Sequence, residues 1–287
     1  MRIQLNWFDE RLAKRIADIA AGQLAPAASR NAATVMVVRP AEGGSGEGGG
    51  ASGVEVLMLK RPAAMKFAPG AYVFPGGSVD LADGEERIGW HGPDAADFGQ
   101  RLGATPELAR ALVCAAVRET FEEAGLLLAG TPDGELAVPD GPDWAAGRAA
   151  LTAGEITLAQ LLDRHGLVLR ADLLTPWARW ITPEAEPRRF DARFFAAALP
   201  PGQQAAGHAA ESDQTSWLRP AEALSAARDG EISLLPPTAT TLAEFAAATG
   251  IEDILTRERS ITPIQPTLIS DSGHAWLEVP DDIGYPL

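Results

Sequence analysis

Residues 113–126 read V-C-A-A-V-R-E-T-F-E-E-A-G-L, and no other stretch restricts the fold of this chain as much. From Leu108 onward the residues are good helix formers, with apolar positions at Leu112, Val113, Ala116, Val117 and Phe121 that repeat as a helix does. Gly125 stands where a helix takes its left-handed cap. On such a helix Glu119, Glu122 and Glu123 lie at i, i+3 and i+4, so three carboxylates project from one face. Like charges at this spacing repel. Either the face is solvated, or hard divalent cations sit among its oxygens.

The surrounding residues favour the cations. Arg118-Glu119-Thr120-Phe121-Glu122-Glu123-Ala124-Gly125-Leu126 resembles the C-terminal half of the Nudix box, Gly-x5-Glu-x7-Arg-Glu-U-x-Glu-Glu-x-Gly-U with U aliphatic. Phe74-Pro75-Gly76-Gly77 resembles its N-terminal half. The match departs from the pattern in two places. Gly77 and Arg118 are 41 positions apart where the pattern has 14, an insertion of 27 residues, and Asp83 falls where the first glutamate of the box would be. Thr120 replaces the aliphatic residue. The insertion, with the words F-P-G-G, R-E-T-F-E-E-A-G and W-I-T-P-E-A-E-P-R-R-F-D-A-R-F-F, is similar to the peroxisomal-type acyl-coenzyme A diphosphatase branch of the Nudix hydrolases, over about residues 34–247.

That resemblance implies an α/β Nudix fold, a mixed β-sheet sandwiched between α-helices, with an added N-terminal helix and a C-terminal helical extension. The chain divides into an N-terminal helical segment (1–30), the Nudix domain (31–250, insertion about 81–105) and an irregular C-terminal extension (251–287). The resemblance also implies Mg2+ or Mn2+ as cofactor, held by Glu119, Glu122 and Glu123, with the Gly77 carbonyl as a further oxygen. Arg118 lies one turn before Glu122, placed to fix that carboxylate by a charge-assisted hydrogen bond. The family often takes its general base from a distant loop glutamate. Glu211, beside Asp213 and near His208, stands in such a loop, though a solvated acidic loop reads equally well.

For substrate binding, Gly76 permits close backbone approach, and Arg188, Arg189 and Arg193 concentrate positive charge suited to phosphate. Cross-strand salt bridges are the competing reading of these arginines. Lys66 stands where a second coenzyme A-related pattern places an arginine. Trp180 and Trp217 would stack on an adenine or pack in the core, and Cys114 reads as a small buried hydrophobe.

A net charge of -15 argues against nucleic-acid and acidic-membrane partners, but not against an anionic substrate, because bound divalent cations reverse the local sign. No apolar run approaches the roughly 20 residues that span a bilayer. The N-terminus is too polar for a secretory signal, the C-terminus lacks a Ser-Lys-Leu type address, and a lone cysteine suits a reducing compartment, so a cytoplasmic location is expected. The remaining stretches read as an amphipathic helix over 9–23, packed on the domain or on a homodimer partner; strands at 33–39, 54–60, 72–74, 167–170, 179–182 and 190–197; and helices at 156–165, 220–228 and 238–248. Residues 42–53 read as a mobile connection, 81–105 as a surface excursion anchored by Trp90 or a lid, 131–147 as a loop, and the stretch from Ile261 as irregular.

The function these expectations define is a metal-dependent diphosphatase acting on a small-molecule nucleoside diphosphate derivative. Coenzyme A or acyl-coenzyme A leads, ahead of NADH, ADP-ribose or a nucleotide sugar. A non-catalytic nucleotide-sensing module is the reading from a different class, and the intact glutamate triad argues against it.

Overall fold

A computed structural model describes residues 1–4, 10–41, 53–62, 68–85, 87–206, 214–271, 274–280 and 283–287. Strand β1 (Arg2–Gln4) precedes α1 (Glu10–Ala20), whose Leu12, Ile16 and Ile19 share a face and join the core of this same chain. Leu12 is buried there, while Ile16 and Ile19 are half-buried. Twelve residues, many of them β-branched or apolar, form β2 (Ser29–Pro40), and β3 (Val54–Lys60) pairs antiparallel with its end, Val38 opposite Val56. The connection expected to be mobile lies, at 42–52, outside the described residues. β4 (Ala71–Val73) leads into β5 (Gly76–Ser78), which pairs with the start of β2 through Ala33 opposite Gly77 and Thr34 opposite Gly76.

The insertion has secondary structure of its own, and most of its residues are exposed. It folds as α2 (Leu81–Glu85), β6 (Trp90–His91) and α3 (Ala95–Leu102), the last opened by a reciprocal capping box of Asp94 and Asp97. Phe98 and Leu102 of α3 are fully buried against α4 (Pro106–Ala124). Trp90 is only half-buried and meets Phe98 edge-on, so the anchor is Phe98.

After α4 come β7 (Ala129–Gly130), α5 (Pro142–Thr152), α6 (Leu158–Arg164), β8 (Val168–Arg170), β9 (Thr175–Ile181) and β10 (Arg189–Ala198). The expected loop over 131–147 ends early, because Pro142 takes the first turn of a helix, where proline is tolerated, and an alanine-rich run continues it. Then follow β11 (Gln214–Leu218), α7 (Pro220–Arg228), β12 (Ser233–Leu234), α8 (Pro236–Ala246) and α9 (Ile251–Thr256). The stretch expected to be irregular instead supplies β13 (Pro263–Ile264), β14 (Thr267–Asp271) and β15 (His274–Glu278). Pro263 begins β13 and Pro266 precedes β14, positions where a missing N–H breaks no ladder. β15 pairs with both β14 and β1.

Among the described residues the main sheet has nine strands, ordered β12-β4-β3-β2-β10-β9-β13, with β11 beside β3 and β5 beside β2. It is mixed: β10 runs parallel to β2 and antiparallel to β9. Alternation along β2 and β10 feeds two cores. Ala33, Val35, Val37, Phe195 and Ala197 pack with α4, while Met36, Val38, Phe194 and Ala196 pack with α7, α8 and α9. The sheet is thus sandwiched between helices, as expected. No helix among the described residues is long and apolar enough to cross a membrane.

Candidate active site

Local chemistry fixes both ends of α4. The Thr105 hydroxyl accepts the Leu108 N–H at 3.3 Å, Pro106 occupies the first turn, and Gly125, at φ 69°, caps the far end with its N–H donated to the Phe121 carbonyl. Leu112, Val113, Ala116 and Val117 are fully buried and hold the helix on the sheet. Thr120, in the place of an aliphatic residue, is also fully buried, and its hydroxyl donates to the Ala116 carbonyl at 2.7 Å. Its polar group is satisfied, so the departure costs little.

The acidic face is not solvated. The side chains of Glu119 and Glu122 are 13% and 11% exposed, and that of Arg118 is 9% exposed. Arg118 organises the cluster. Its Nε and Nη2 donate to the two oxygens of Asp83 at 3.0 and 2.9 Å, Nη2 donates to the Ser78 carbonyl at 2.9 Å, and Nη1 donates to Glu119 Oε1 at 3.0 Å. Both Glu122 oxygens are 3.4 Å away, so the expected link from Arg118 to Glu122 is the weakest of these. Burial opposes the guanidinium charge. The hydrogen bond to Asp83 and the fields of Glu119, Asp83 and Glu122 outweigh it and hold the pKa well above the usual arginine range.

The glycine loop meets the same carboxylates. The Gly76 N–H donates to Glu123 Oε2 at 2.8 Å. A Cβ on Gly77 would come within 2.6 Å of the Glu119 carboxyl carbon, so this carboxylate can lie against β5 only because residue 77 has no side chain. The β5–β2 pairing and the Val35 N–H on the Pro75 carbonyl at 2.9 Å hold the loop in place.

Among the described residues no three His, Cys, Asp or Glu side chains converge as a metal cage in these rotamers; the carboxylates turn to Arg118 and to the Gly76 N–H. The donor set nevertheless suits a hard divalent cation. Three carboxylates leave one helix within two turns, beside backbone made accessible at Gly77, and all offer oxygen.

The other anticipated site residues are dispersed. Lys66 and Glu211, with His208 and Asp213, lie outside the described residues. Arg188 is exposed, and Arg189 donates to the carbonyls of Thr182 and Ala27. Arg193 is not available to a phosphate. It is 1% exposed, its Nη1 lies 2.9 Å from Asp191 Oδ1, and Arg179 forms a two-pronged pair with the same aspartate. The cross-strand salt bridge is what the geometry gives there. Trp180 is buried in the core, and Trp217 is covered by the Arg39 guanidinium at 4.4 Å. Of two further partners of the site, Asp83 stands at the box position of the first glutamate, and Arg148 escaped the sequence reading. Asp83 is the anchor of Arg118, and Arg148 donates from Nε and Nη2 to the Glu122 carbonyl and from Nη2 to the Ala206 carbonyl, tying the end of α4 to the chain that leads to Glu211.

A family model described as the NUDT19 Nudix domain matches residues 93–245. The chain is 31% identical over 182 residues to putative nudix hydrolase 7 of Caenorhabditis elegans, covering 63% of this chain and 52% of that protein. It is 30% identical over 241 residues to the acyl-coenzyme A diphosphatase NUDT19 of Homo sapiens, covering 71% of this chain and 64% of that protein. It thus spans less than two thirds of the length of either relative. A crystal structure of a Nudix hydrolase from Alicyclobacillus acidocaldarius superposes with a TM-score of 0.64 at 29% identity, over 81% of this chain and 98% of that one. With the box residues gathered at the glycine loop and more than half of the chain matched by the family model, the chain belongs to the Nudix hydrolases, in their NUDT19 branch.

Proposed function

We propose that this protein hydrolyses the diphosphate of coenzyme A or of an acyl-coenzyme A, releasing adenosine 3′,5′-bisphosphate and 4′-phosphopantetheine or its acylated form. The observation that carries this reading is the buried carboxylate cluster at Gly76 and Gly77, on the helix of a branch whose relatives include proteins named acyl-coenzyme A diphosphatases. Glu119, Glu122 and Glu123 would hold Mg2+ or Mn2+, with the Gly77 carbonyl as a further oxygen. A divalent cation held there would offset the charge of the diphosphate and acidify the attacking water.

Each residue of the chain has a separate task. The Gly76 N–H, which donates to Glu123 here, would be free to donate to a phosphate oxygen once Glu123 served as a metal ligand. Arg118, clamped by Asp83, does not touch substrate; it positions Glu119 and Glu122. Glu211 accepts the proton of the water. The water oxygen bonds to one phosphorus as the bridging P–O bond breaks, and its electrons leave with the other phosphate. No covalent enzyme intermediate is required. Arg188 and Lys66 supply positive charge for the 3′-phosphate.

The test is a product-mass screen with Mg2+ and with Mn2+ over coenzyme A, acyl-coenzyme A, NADH, ADP-ribose and nucleoside triphosphates. Preference for the coenzyme A compounds, with the bisphosphate as product, is the expected result. Preference for another diphosphate overturns the substrate and leaves the roles of the helix standing.

A further inference from the structure

The sheet face opposite α4 presents Phe190, Ala192 and Phe194 in alternation, and Trp180 of β9 stands beside them. Over this face the C-terminal strands lay Leu268 and Leu277, with Tyr285 beyond them. Together they line an apolar chamber of about 520 Å³, half open to solvent and of a size typical of small-molecule sites. No lysine, arginine or histidine is among the described residues that line it. The ionisable groups at its wall are Glu186 and Tyr285, and burial raises the pKa of both, against the opposing field of Arg15 in the case of Glu186. A phosphate entering here would meet no cation and would meet a carboxylate. An uncharged hydrocarbon chain would lose only water.

The register connects this chamber to the glycine loop. Phe194 lies opposite Thr34, and Thr34 opposite Gly76; Ala192 lies opposite Ala32, and Ala32 opposite Ser78. Two strand spacings, about 10 Å, separate Phe194 from Gly76. A pantetheine arm reaches roughly 15 Å when extended, by the dimensions of amide-linked chains. Because the carboxylates of α4 and the chamber lie on opposite faces of the sheet, an acyl group at the end of that arm would reach the chamber by rounding the sheet at β5 while the diphosphate rests at the loop.

We propose that this chamber, walled by the C-terminal strands, receives the acyl chain of the substrate. The assignment rests on the diphosphatase reading above and adds to it a determinant of chain-length preference. Each methylene that enters improves kcat/KM by about fourfold, until the chamber is full. Free coenzyme A, which has nothing to place there, is indifferent to its shape.

The experiment compares free coenzyme A with acyl-coenzymes A of increasing chain length on the full chain and on Ala192→Phe, which fills the chamber from the sheet side. Binding of dodecanoyl-pantetheine, which has no nucleotide, is measured by calorimetry in parallel. The expected result is a rise of kcat/KM with chain length in the wild type and a loss of at least tenfold for long chains in Ala192→Phe. Turnover of free coenzyme A should be unchanged, which also shows that the variant is folded. If that variant unfolds, Ser233→Asp, an exposed position on the wall, replaces it with the same expectation. Hydrolysis of coenzyme A compounds without any dependence on chain length overturns the chamber and leaves the diphosphatase reading intact. No hydrolysis, but dodecanoyl-pantetheine binding that Ala192→Phe weakens, overturns the diphosphatase reading and retains the chamber as a site for an apolar chain. Neither hydrolysis nor binding overturns both. A change in sedimentation of Ala192→Phe with an unaltered chain-length profile assigns the chamber to a second copy of the chain and also overturns the proposal.

Discussion

Substituting alanine at Gly77 separates the catalytic geometry from the stability of the fold. The new Cβ would lie 2.6 Å from the Glu119 carboxyl carbon and 2.7 Å from its Oε2. Ordinary carbon contacts begin near 3.5 Å, so the carboxylate must retreat by about 1 Å. It can do so, because it is the end of a flexible side chain. The methyl group also restricts the unfolded chain, a gain of up to about 1 kcal/mol that offsets most of the strain. Stability should therefore change by no more than about 1 kcal/mol, or about 3 °C in Tm. Catalysis should suffer far more, since a 1 Å misplacement of a working group costs on the order of 10²-fold. Gly76→Ala is the contrast: its Cβ would lie 2.7 Å from the Thr34 Cα and against the Ala33 carbonyl, both backbone, which cannot yield. That variant should lose about 2 kcal/mol or more. Paired thermal melts and Mg2+-dependent turnover read both quantities. Gly77→Ala with wild-type kcat, or as unstable as Gly76→Ala, refutes the placement of Glu119 against the loop.

Other perturbations follow from the same contacts. Asp83→Asn leaves Arg118 without its two-pronged partner and should cost about 3 kcal/mol in denaturant unfolding; a loss below about 1 kcal/mol would show that Glu119 and Glu122 suffice to hold the guanidinium. Phe98→Ala should lose about 3–5 kcal/mol, because this residue of the insertion is 1% exposed, whereas Trp90→Ala should lose clearly less; equal losses would restore Trp90 as an anchor of the insertion. Burial pushes the Cys114 thiol up to about 12, so thiol reagents at pH 8 should modify the native protein only through unfolding; rapid labelling would place the residue elsewhere. The same shift has a pH sign. The unfolded thiol ionises near pH 8.5 and the folded one does not, so this group stabilises the fold fully at neutral pH and progressively less as pH climbs from about 8.5 toward 12.

The catalytic helix was legible because its determinants are local. Thr105, Pro106, Gly125 and the apolar repeat between them all act within a few residues, and the triad is a spacing on that one helix. The partners of the site were less legible because they arrive from far along the chain. Asp83 meets Arg118 across 35 residues that include the insertion, and Arg148 reaches back 26 residues to the Glu122 carbonyl. Arg193 was left open between two readings for a different reason. Both faces of β10 are buried, and a bulge falls between Phe194 and Phe195, so alternation of residue types could not tell a wall of the core from a substrate face. The C-terminal strands were hidden by their prolines and by partners at the opposite end of the chain, Arg2 lying opposite Glu278.

The most direct measurement is turnover of coenzyme A by Glu122→Gln in Mg2+, with a thermal melt of the same preparation. The substitution keeps the shape of the side chain and removes the charge that a metal requires. Activity lost by about 10²-fold or more, with Tm within a few degrees of the wild type, is the predicted result. Equal turnover in the variant contradicts the assignment of this helix as the metal-binding, catalytic element.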